Sequence, residues 1–269
     1  MKALVTGAGG FIGSHLAEVL VERGWDVRAM LRYTSGAHLG ALADVPSDRR
    51  DAMEIVFGDI QDPDYMDRVV KGVDVVFHLA ALIAIPYSYH APESYVQTNV
   101  LGTLNVLRAA DRHKVSRVVQ TSTSETYGTA QYVPIDEKHP LQGQSPYSAS
   151  KIGADKLAES YFLSFELPVV TVRPFNTFGP RQSLRAVIPT IISQVLAGGP
   201  IRLGSLDPRR DLTFVSDTVD GFVRAANTPK AIGETLNLGT GRDVSIGELA
   251  EMILAGLLDQ FMRVPETNC

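Results

Sequence analysis

Along the first half of the chain, short apolar runs alternate with longer stretches of helical period. Ala3-Leu4-Val5 reads as a buried strand. Residues 11–23 read as a helix whose Ile12, Leu16, Val19 and Leu20 share one face, with Gly24 as its stop. Residues 26–31 and 54–57 predict a second and a third strand. Asp62 before Pro63 is a good N-cap for a short helix. Residues 73–79, almost wholly apolar, predict a fourth strand covered on both faces. A long helix is expected over about residues 92–113 and a fifth strand over 117–121. This alternation predicts an α/β fold, a doubly wound parallel sheet with helices on both faces.

A second long helix is expected over about residues 145–165, with Pro146 in its first turn, followed by a buried strand over 168–173. After Pro174 the pattern becomes irregular. Short strands are expected near 201–203, 212–215 and 235–238, with helices between, and Ser245-Ile246-Gly247-Glu248 reads as a capping box opening the last helix. We expect residues 1–174 to bind a dinucleotide and residues 175–269 to form a smaller α+β substrate lobe, interleaved with the sheet, at the C-terminal ends of its strands.

Composition narrows the partners. With 25 Lys+Arg against 30 Asp+Glu the chain carries a net charge of -5, so no general basic surface is available for nucleic acid. The 45% hydrophobic and 20% charged content excludes a disordered chain. The single cysteine, Cys269, leaves no disulfide framework and no cysteine-rich metal site, which fits a reducing compartment. No apolar run reaches the roughly 18 residues of a membrane helix. The first residues lack a signal-peptide pattern. No membrane partner, no metal and a cytoplasmic location are expected.

The first chemical signal is Thr6-Gly7-Ala8-Gly9-Gly10-Phe11-Ile12-Gly13, placed between the first strand and the first helix. Gly7 permits a tight turn, Gly10 a close approach of backbone to a pyrophosphate, and Gly13 close packing of helix on strand. Free N–H groups at the helix start, with Phe11 and Ile12 among its first residues, suit a phosphate. The dinucleotide-binding part is therefore expected to be of Rossmann type. The second strand ends Met30-Leu31-Arg32-Tyr33 with no acid to grip a ribose diol. Arg32 can pair with a 2′-phosphate, which favours NADP over NAD as the tightly held cofactor. Asp59 and Ile60, after the third strand, are expected at the adenine.

The second signal is Tyr147 and Lys151, one turn apart on a helix. An ammonium and a cofactor cation together favour a phenolate, giving a base that takes a proton from a sugar hydroxyl. Strand five runs into Thr121-Ser122-Thr123-Ser124-Glu125, where ligands bind in such sheets. Thr123 is placed to bind the reacting hydroxyl, and Glu125 to act as a general base toward carbon.

Together these residues resemble the extended short-chain dehydrogenases/reductases, the NAD-dependent epimerase/dehydratase family of nucleotide-sugar enzymes. The resemblance covers roughly residues 1–255. It rests on Thr6 to Gly13, His78-Leu79-Ala80-Ala81, Asn99, Thr123, Tyr147 with Lys151, Arg173-Pro174-Phe175-Asn176 and Arg210-Asp211. It implies that Leu79, Ala80, Ala81, Asn99 and Pro174 join the cofactor site, with Tyr147 and Lys151, and that Asn176, Arg181 and Arg210 contact the substrate's diphosphate. Thr123-Ser124-Glu125 looks like the 4,6-dehydratase branches rather than the epimerases. His78 to Tyr89 looks closest to N-acetylglucosamine nucleotide 4,6-dehydratases of legionaminic-acid-type pathways. One departure stands out: the dTDP-glucose branch has aspartate where Ser124 stands, as the acid for the leaving C6 hydroxyl. That role is left without a group, or with Glu125 serving both steps.

The resemblance implies a 4,6-dehydratase converting an NDP-hexose, UDP- or GDP-N-acetylglucosamine, to its 4-keto-6-deoxy product. The alternatives are a nucleotide-sugar 4-epimerase, which has no task for Glu125, and a non-catalytic dinucleotide-binding protein. It also implies a homodimer through the two long helices, with Val100, Leu104 and Leu107 either at the interface or facing the protein's own sheet. Family members commonly run some tens of residues past the capping-box helix, so a substrate lobe lacking its final segment is expected.

Overall fold

The structure, a computed structural model, describes residues 1–262. Cys269 and most of the C-terminal tail lie outside the described residues. The first half contains β1 (Lys2–Thr6), α1 (Phe11–Glu22), β2 (Asp26–Arg32), α2 (Ser47–Arg50), β3 (Glu54–Gly58), α3 (Pro63–Val70) and β4 (Val75–His78). The short helices α4 (Ile85–Ser88) and α5 (Pro92–Tyr95) lead into α6 (Gly102–Arg112) and β5 (Arg117–Thr121). Next come α7 (Pro146–Phe165), β6 (Val169–Pro174), β7 (Asn176–Phe178), α8 (Val187–Leu196) and β8 (Arg209–Phe214). The chain closes with α9 (Val215–Asn227), β9 (Thr235–Leu238), β10 (Asp243–Ser245) and α10 (Ile246–Met262).

Seven strands form one sheet in the order β3-β2-β1-β4-β5-β6-β9, every pair parallel. Successive strand residues point to opposite faces. Val5, Phe77, Val119 and Val170 meet α1 and α9 residues on one side. Leu4, Val76, Val118 and Val169 meet α3 and α6 on the other. This explains the near-continuous apolar strands, since each is covered twice. The chain winds outward in one direction through β2 and β3 and in the other from β4, so a crevice opens at the C-terminal ends of β1 and β4. A second sheet, β10-β8-β7, lies after the β6 strand in sequence; β8 pairs parallel with β7 and antiparallel with β10.

Local chemistry sets the element ends. Asp62 caps α3 by accepting from the Tyr65 amide at 2.9 Å. Ser145 caps α7 through a capping box with Ser148, and Ser245 and Glu248 form the expected box on α10. Among the described residues no helix is long and apolar enough to cross a membrane.

Several expectations are corrected. The helix predicted over 92–113 is α5, a wider π-type turn over Val96–Leu101, and α6. The wide turn carries Asn99, whose side chain is bound to Leu82 and Ser150, so a tertiary contact overrides the helical period. The strand expected near 201–203 is absent. There the Arg202 amide donates to Gln194 Oε1 and the Arg202 carbonyl accepts from Gln194 Nε2, so a side chain takes the place of a strand partner. β4 begins at Val75, β8 begins at Arg209, and α2, β7 and β10 carried no pattern strong enough to anticipate. Leu107 is fully buried in the protein's own core, which removes it from any interface.

A buried hydrogen-bond chain ties β1 to β4. Thr6 Oγ1 accepts from the amides of Leu79 and Ala80, so its hydroxyl donates to His78 Nδ1 at 2.8 Å. His78 Nε2 then donates to Thr103 Oγ1, which donates to the Asn99 carbonyl. Burial pushes the His78 imidazole down to about 3 from its ordinary 6.5. The unfolded chain therefore takes up a proton below about pH 6.5 that the folded chain refuses. Stability from this group is full above that pH and is lost as pH falls toward about 3, at about 1.4 kcal/mol per pH unit. Denaturant titrations between about pH 7 and about pH 5 should show this slope, and His78→Gln should remove that component of it.

Candidate active site

The glycine turn forms the floor of the crevice. Gly7 has φ +73°, and the Gly10 amide donates back to the Gly7 carbonyl at 2.9 Å. A Cβ at Gly13 would lie 2.2 Å from Gly7 O, and one at Gly7 would lie 2.8 Å from the Ala80 amide nitrogen. Gly10 is the N-cap of α1 and has no side chain to satisfy the first-turn amides. Those amides and the helix dipole are left for an anion. The residues present thus fit a dinucleotide pyrophosphate. Gly13→Ala should push α1 off β1, lowering stability by about 1–3 kcal/mol and weakening dinucleotide binding at least about tenfold. Thermal denaturation and calorimetry would measure the two effects.

Above the floor is a cleft of about 770 Å³. Its lining brings together Gly7, Gly10, Phe11, Ile12, Gly13, Arg32, Asp59, Ile60, Leu79, Ala80 and Ala81 at one end. Thr123, Glu125, Tyr147 and Pro174 line the other. At the tip of β2 the Arg32 side chain is 68% exposed, with its Nε 3.9 Å from Asp59 Oδ2. Asp59 also accepts from the Gln61 amide.

Thr123 caps a short 3₁₀ turn over Ser124–Tyr127: its Oγ1 accepts from the Glu125 amide at 3.2 Å, and Thr126 Oγ1 donates to its carbonyl. The turn leaves Glu125 exposed in the cleft. Tyr147, 7% exposed, packs edge-on against Tyr95. Lys151 lies buried one turn below, its ammonium donating to the Thr121 carbonyl at 2.5 Å. Burial pushes the Tyr147 phenol up to about 12, against a smaller downward pull from the Thr123 hydroxyl. Burial also pushes the Lys151 ammonium down. In the free protein desolvation therefore prevails at both groups, and added positive charge in the cleft is needed to bring the phenol down.

Six expected residues do not line the cleft. Lys151 is the one just described, beneath Tyr147. Asn99 is 1% exposed, and its amide group is taken up by the Leu82 amide, the Leu82 carbonyl and the Ser150 hydroxyl, so it braces the loop after β4. Ser124 is half-buried in the turn beside Glu125. Asn176 is half-buried at the start of β7. Arg181, with φ +66°, donates through Nη2 to Glu18 Oε2 on α1 at 2.6 Å, while its buried Nη1 has no partner. Arg210 is exposed on β8 and donates to the Arg209 carbonyl. The cleft instead recruits Phe175, Thr177, Gln182, Ser183 and Ala186 at its far end. Gln182 Nε2 donates to the Thr177 carbonyl. Proximity to Phe178-Gly179-Pro180 was the only sequence signal for this loop.

A switch-point crevice floored by a glycine turn and an uncapped helix end defines a Rossmann-type dinucleotide-binding protein. Residues 4–266 match the family model for GDP-mannose 4,6 dehydratase. A dTDP-glucose 4,6-dehydratase of an Actinoplanes species is 35% identical over 94% of this chain and 81% of its own length. A UDP-glucose 4-epimerase of Mycolicibacterium smegmatis is 34% identical over 93% of this chain and 80% of its own. A dTDP-glucose 4,6-dehydratase of Streptomyces venezuelae, solved with NAD bound, superposes with a TM-score of 0.87 at 32% identity, covering 96% of this chain and 81% of that one. The chain belongs to the GDP-mannose 4,6-dehydratase-like family of extended short-chain dehydrogenases/reductases, the NAD-dependent nucleotide-sugar dehydratases and epimerases.

Proposed function

We propose that the protein is a nucleotide-sugar 4,6-dehydratase acting on UDP- or GDP-N-acetylglucosamine. The observation that carries this reading is a carboxylate, Glu125, in the same cleft as Thr123 and Tyr147. Tyr147 takes the proton of the C4 hydroxyl, with Thr123 holding that oxygen and Lys151 supporting the phenolate from below. A dinucleotide held over the glycine turn would supply the hydride acceptor for C4 and the hydride donor for C6. The C4 ketone acidifies the C5 proton, Glu125 removes it, and the C6 hydroxyl leaves as water. Glu125 is the sole carboxylate among the residues lining the reacting end, so it serves both the abstraction and the protonation of the leaving oxygen. C5 then takes a proton from solvent while Tyr147 releases to solvent the one it took from the C4 hydroxyl, which gives the 4-keto-6-deoxy sugar and leaves both side chains as they began. The glycine turn, Asp59 and Ile60 hold the dinucleotide. Residues 1–174 act as its binding domain and 175–269 as the substrate lobe.

The second reading, a 4-epimerase, is favoured by the 34% identity to a UDP-glucose 4-epimerase. A panel of UDP-GlcNAc, GDP-GlcNAc, GDP-mannose and dTDP-glucose, read by mass spectrometry, separates the two. Loss of one water from an N-acetylglucosamine nucleotide supports the dehydratase; conversion at unchanged mass supports the epimerase and overturns it.

The absence of an acid at the tip of β2 and the exposure of Arg32 there support NADP as the preferred dinucleotide. Calorimetry should show tighter NADP binding, and Arg32→Ala should weaken NADP by about 1.5–3 kcal/mol while leaving NAD nearly unchanged. A wild-type preference for NAD would sink this assignment. Exposed Val96, Leu101, Leu163 and Phe165 on the π-type turn and α7 support a homodimer through these helices. Monomeric sedimentation would refute it.

A further inference from the structure

The turn that carries Thr123 and Glu125 is gripped at both ends by one buried ion pair. Ser122 immediately precedes Thr123, and its hydroxyl donates to Asp155 Oδ2 at 2.6 Å. Arg173 donates to the same oxygen through Nε at 3.3 Å and Nη2 at 3.0 Å. Its Nη1 donates to the hydroxyl of Tyr127, the last residue of the turn, at 2.9 Å, with the guanidinium over the Tyr127 ring. The Tyr127 hydroxyl in turn donates to Asn237 Oδ1 on β9 at 2.8 Å. Ser122, Tyr127, Asp155 and Arg173 are each 5% exposed or less.

Asp155 lies on α7 one turn beyond Lys151 and two turns beyond Tyr147, at the spacing that puts all three on one face. A buried ion pair adds little net stability, because desolvation offsets the Coulomb attraction. Its effect here is directional: it fixes both ends of the catalytic turn to the helix that holds Tyr147 and to the strand beside β5.

We propose that Asp155 and Arg173 are positioning residues, a clamp acting through Ser122 and Tyr127 that holds Thr123 and Glu125 opposite Tyr147. What the clamped turn does in catalysis rests on the dehydratase reading above; the clamp itself does not. The test uses the full chain with Tyr127→Phe and Ser122→Ala, each removing one hydroxyl. Amide hydrogen exchange over residues 122–128 should accelerate about tenfold or more, with exchange elsewhere and the thermal midpoint little changed. Turnover should fall about ten- to a hundredfold while KM stays within about twofold, as for misplaced rather than missing chemistry.

Unchanged exchange over the turn would overturn the clamp. So would a rise spread evenly over the molecule with a fall in thermal midpoint, the mark of a merely structural role. If wild-type protein converts no sugar nucleotide, the dehydratase reading fails, while the exchange measurement still decides the clamp.

Discussion

Tyr147→Phe lowers turnover by about a hundred- to ten-thousandfold, the range expected when a positioned acid–base group is removed. The ring itself is preserved, and with it the edge-on contact to Tyr95 and the packing of the first turn of α7. Thermal stability should therefore hold, and dinucleotide affinity should change little. The variant removes a hydroxyl whose proton burial holds tightly, up to about 12 in the free protein. Below its pKa a base acts only through its deprotonated fraction, so wild-type turnover should rise with pH through the neutral range. That rising limb should be missing in the Phe variant. A variant with wild-type turnover would remove Tyr147 from the chemistry.

Glu125→Gln should leave C4 oxidation intact and cut water loss by about a hundred- to ten-thousandfold. The amide is isosteric, and the bond from the residue's own backbone N–H to Thr123 Oγ1 is untouched, so the turn keeps its shape. Rapid mixing with substrate should show cofactor reduction at near wild-type rate, followed by an intermediate that does not advance. The mass of the product separates the branches: a wild-type enzyme releasing one water, and a variant that does not, assign the elimination to Glu125. If the variant dehydrates as fast as wild type, another group removes the C5 proton. If the wild-type chain epimerises, the substitution should barely matter.

The elements most legible in the sequence are those whose causes are local. The glycine turn is readable because each glycine meets a constraint within a few residues or in an adjacent strand: a positive φ at Gly7, a carbonyl against Gly13. β5 and β9 fall where their apolar runs place them. Tyr147 and Glu125 reach the same cleft because helix period and strand end are both short-range signals. The side chains that escaped are those claimed by distant partners. Arg181 reads as a phosphate ligand, and its Nη2 is drawn to Glu18, 163 residues earlier. Asn99 is drawn to Leu82 and Ser150, and the helix around it widens to allow this. The length of residues 201–203 suits a strand, but the Gln194 amide supplies its pairing instead. The Asp155–Arg173 clamp joins α7 to β6, and neither residue's own segment signals the other.

The place of β9 has a consequence for how the molecule comes into being. Its residues 235–238 complete the edge of the large sheet against β6, residues 171–174. Arg117 on β5 donates to the carbonyls of Ala225 and Thr228, and Tyr127 donates to Asn237. During synthesis from the N-terminus, six strands of the sheet emerge well before the seventh. Until residue 238 leaves the ribosome, β6 presents a bare hydrogen-bonding edge, and the Tyr127 hydroxyl, though already bound by Arg173, lacks its Asn237 acceptor. The turn that carries Thr123 and Glu125 is thus built and clamped by residues up to 173, and a nascent chain stalled short of β9 would hold that clamp beside an unpaired sheet edge.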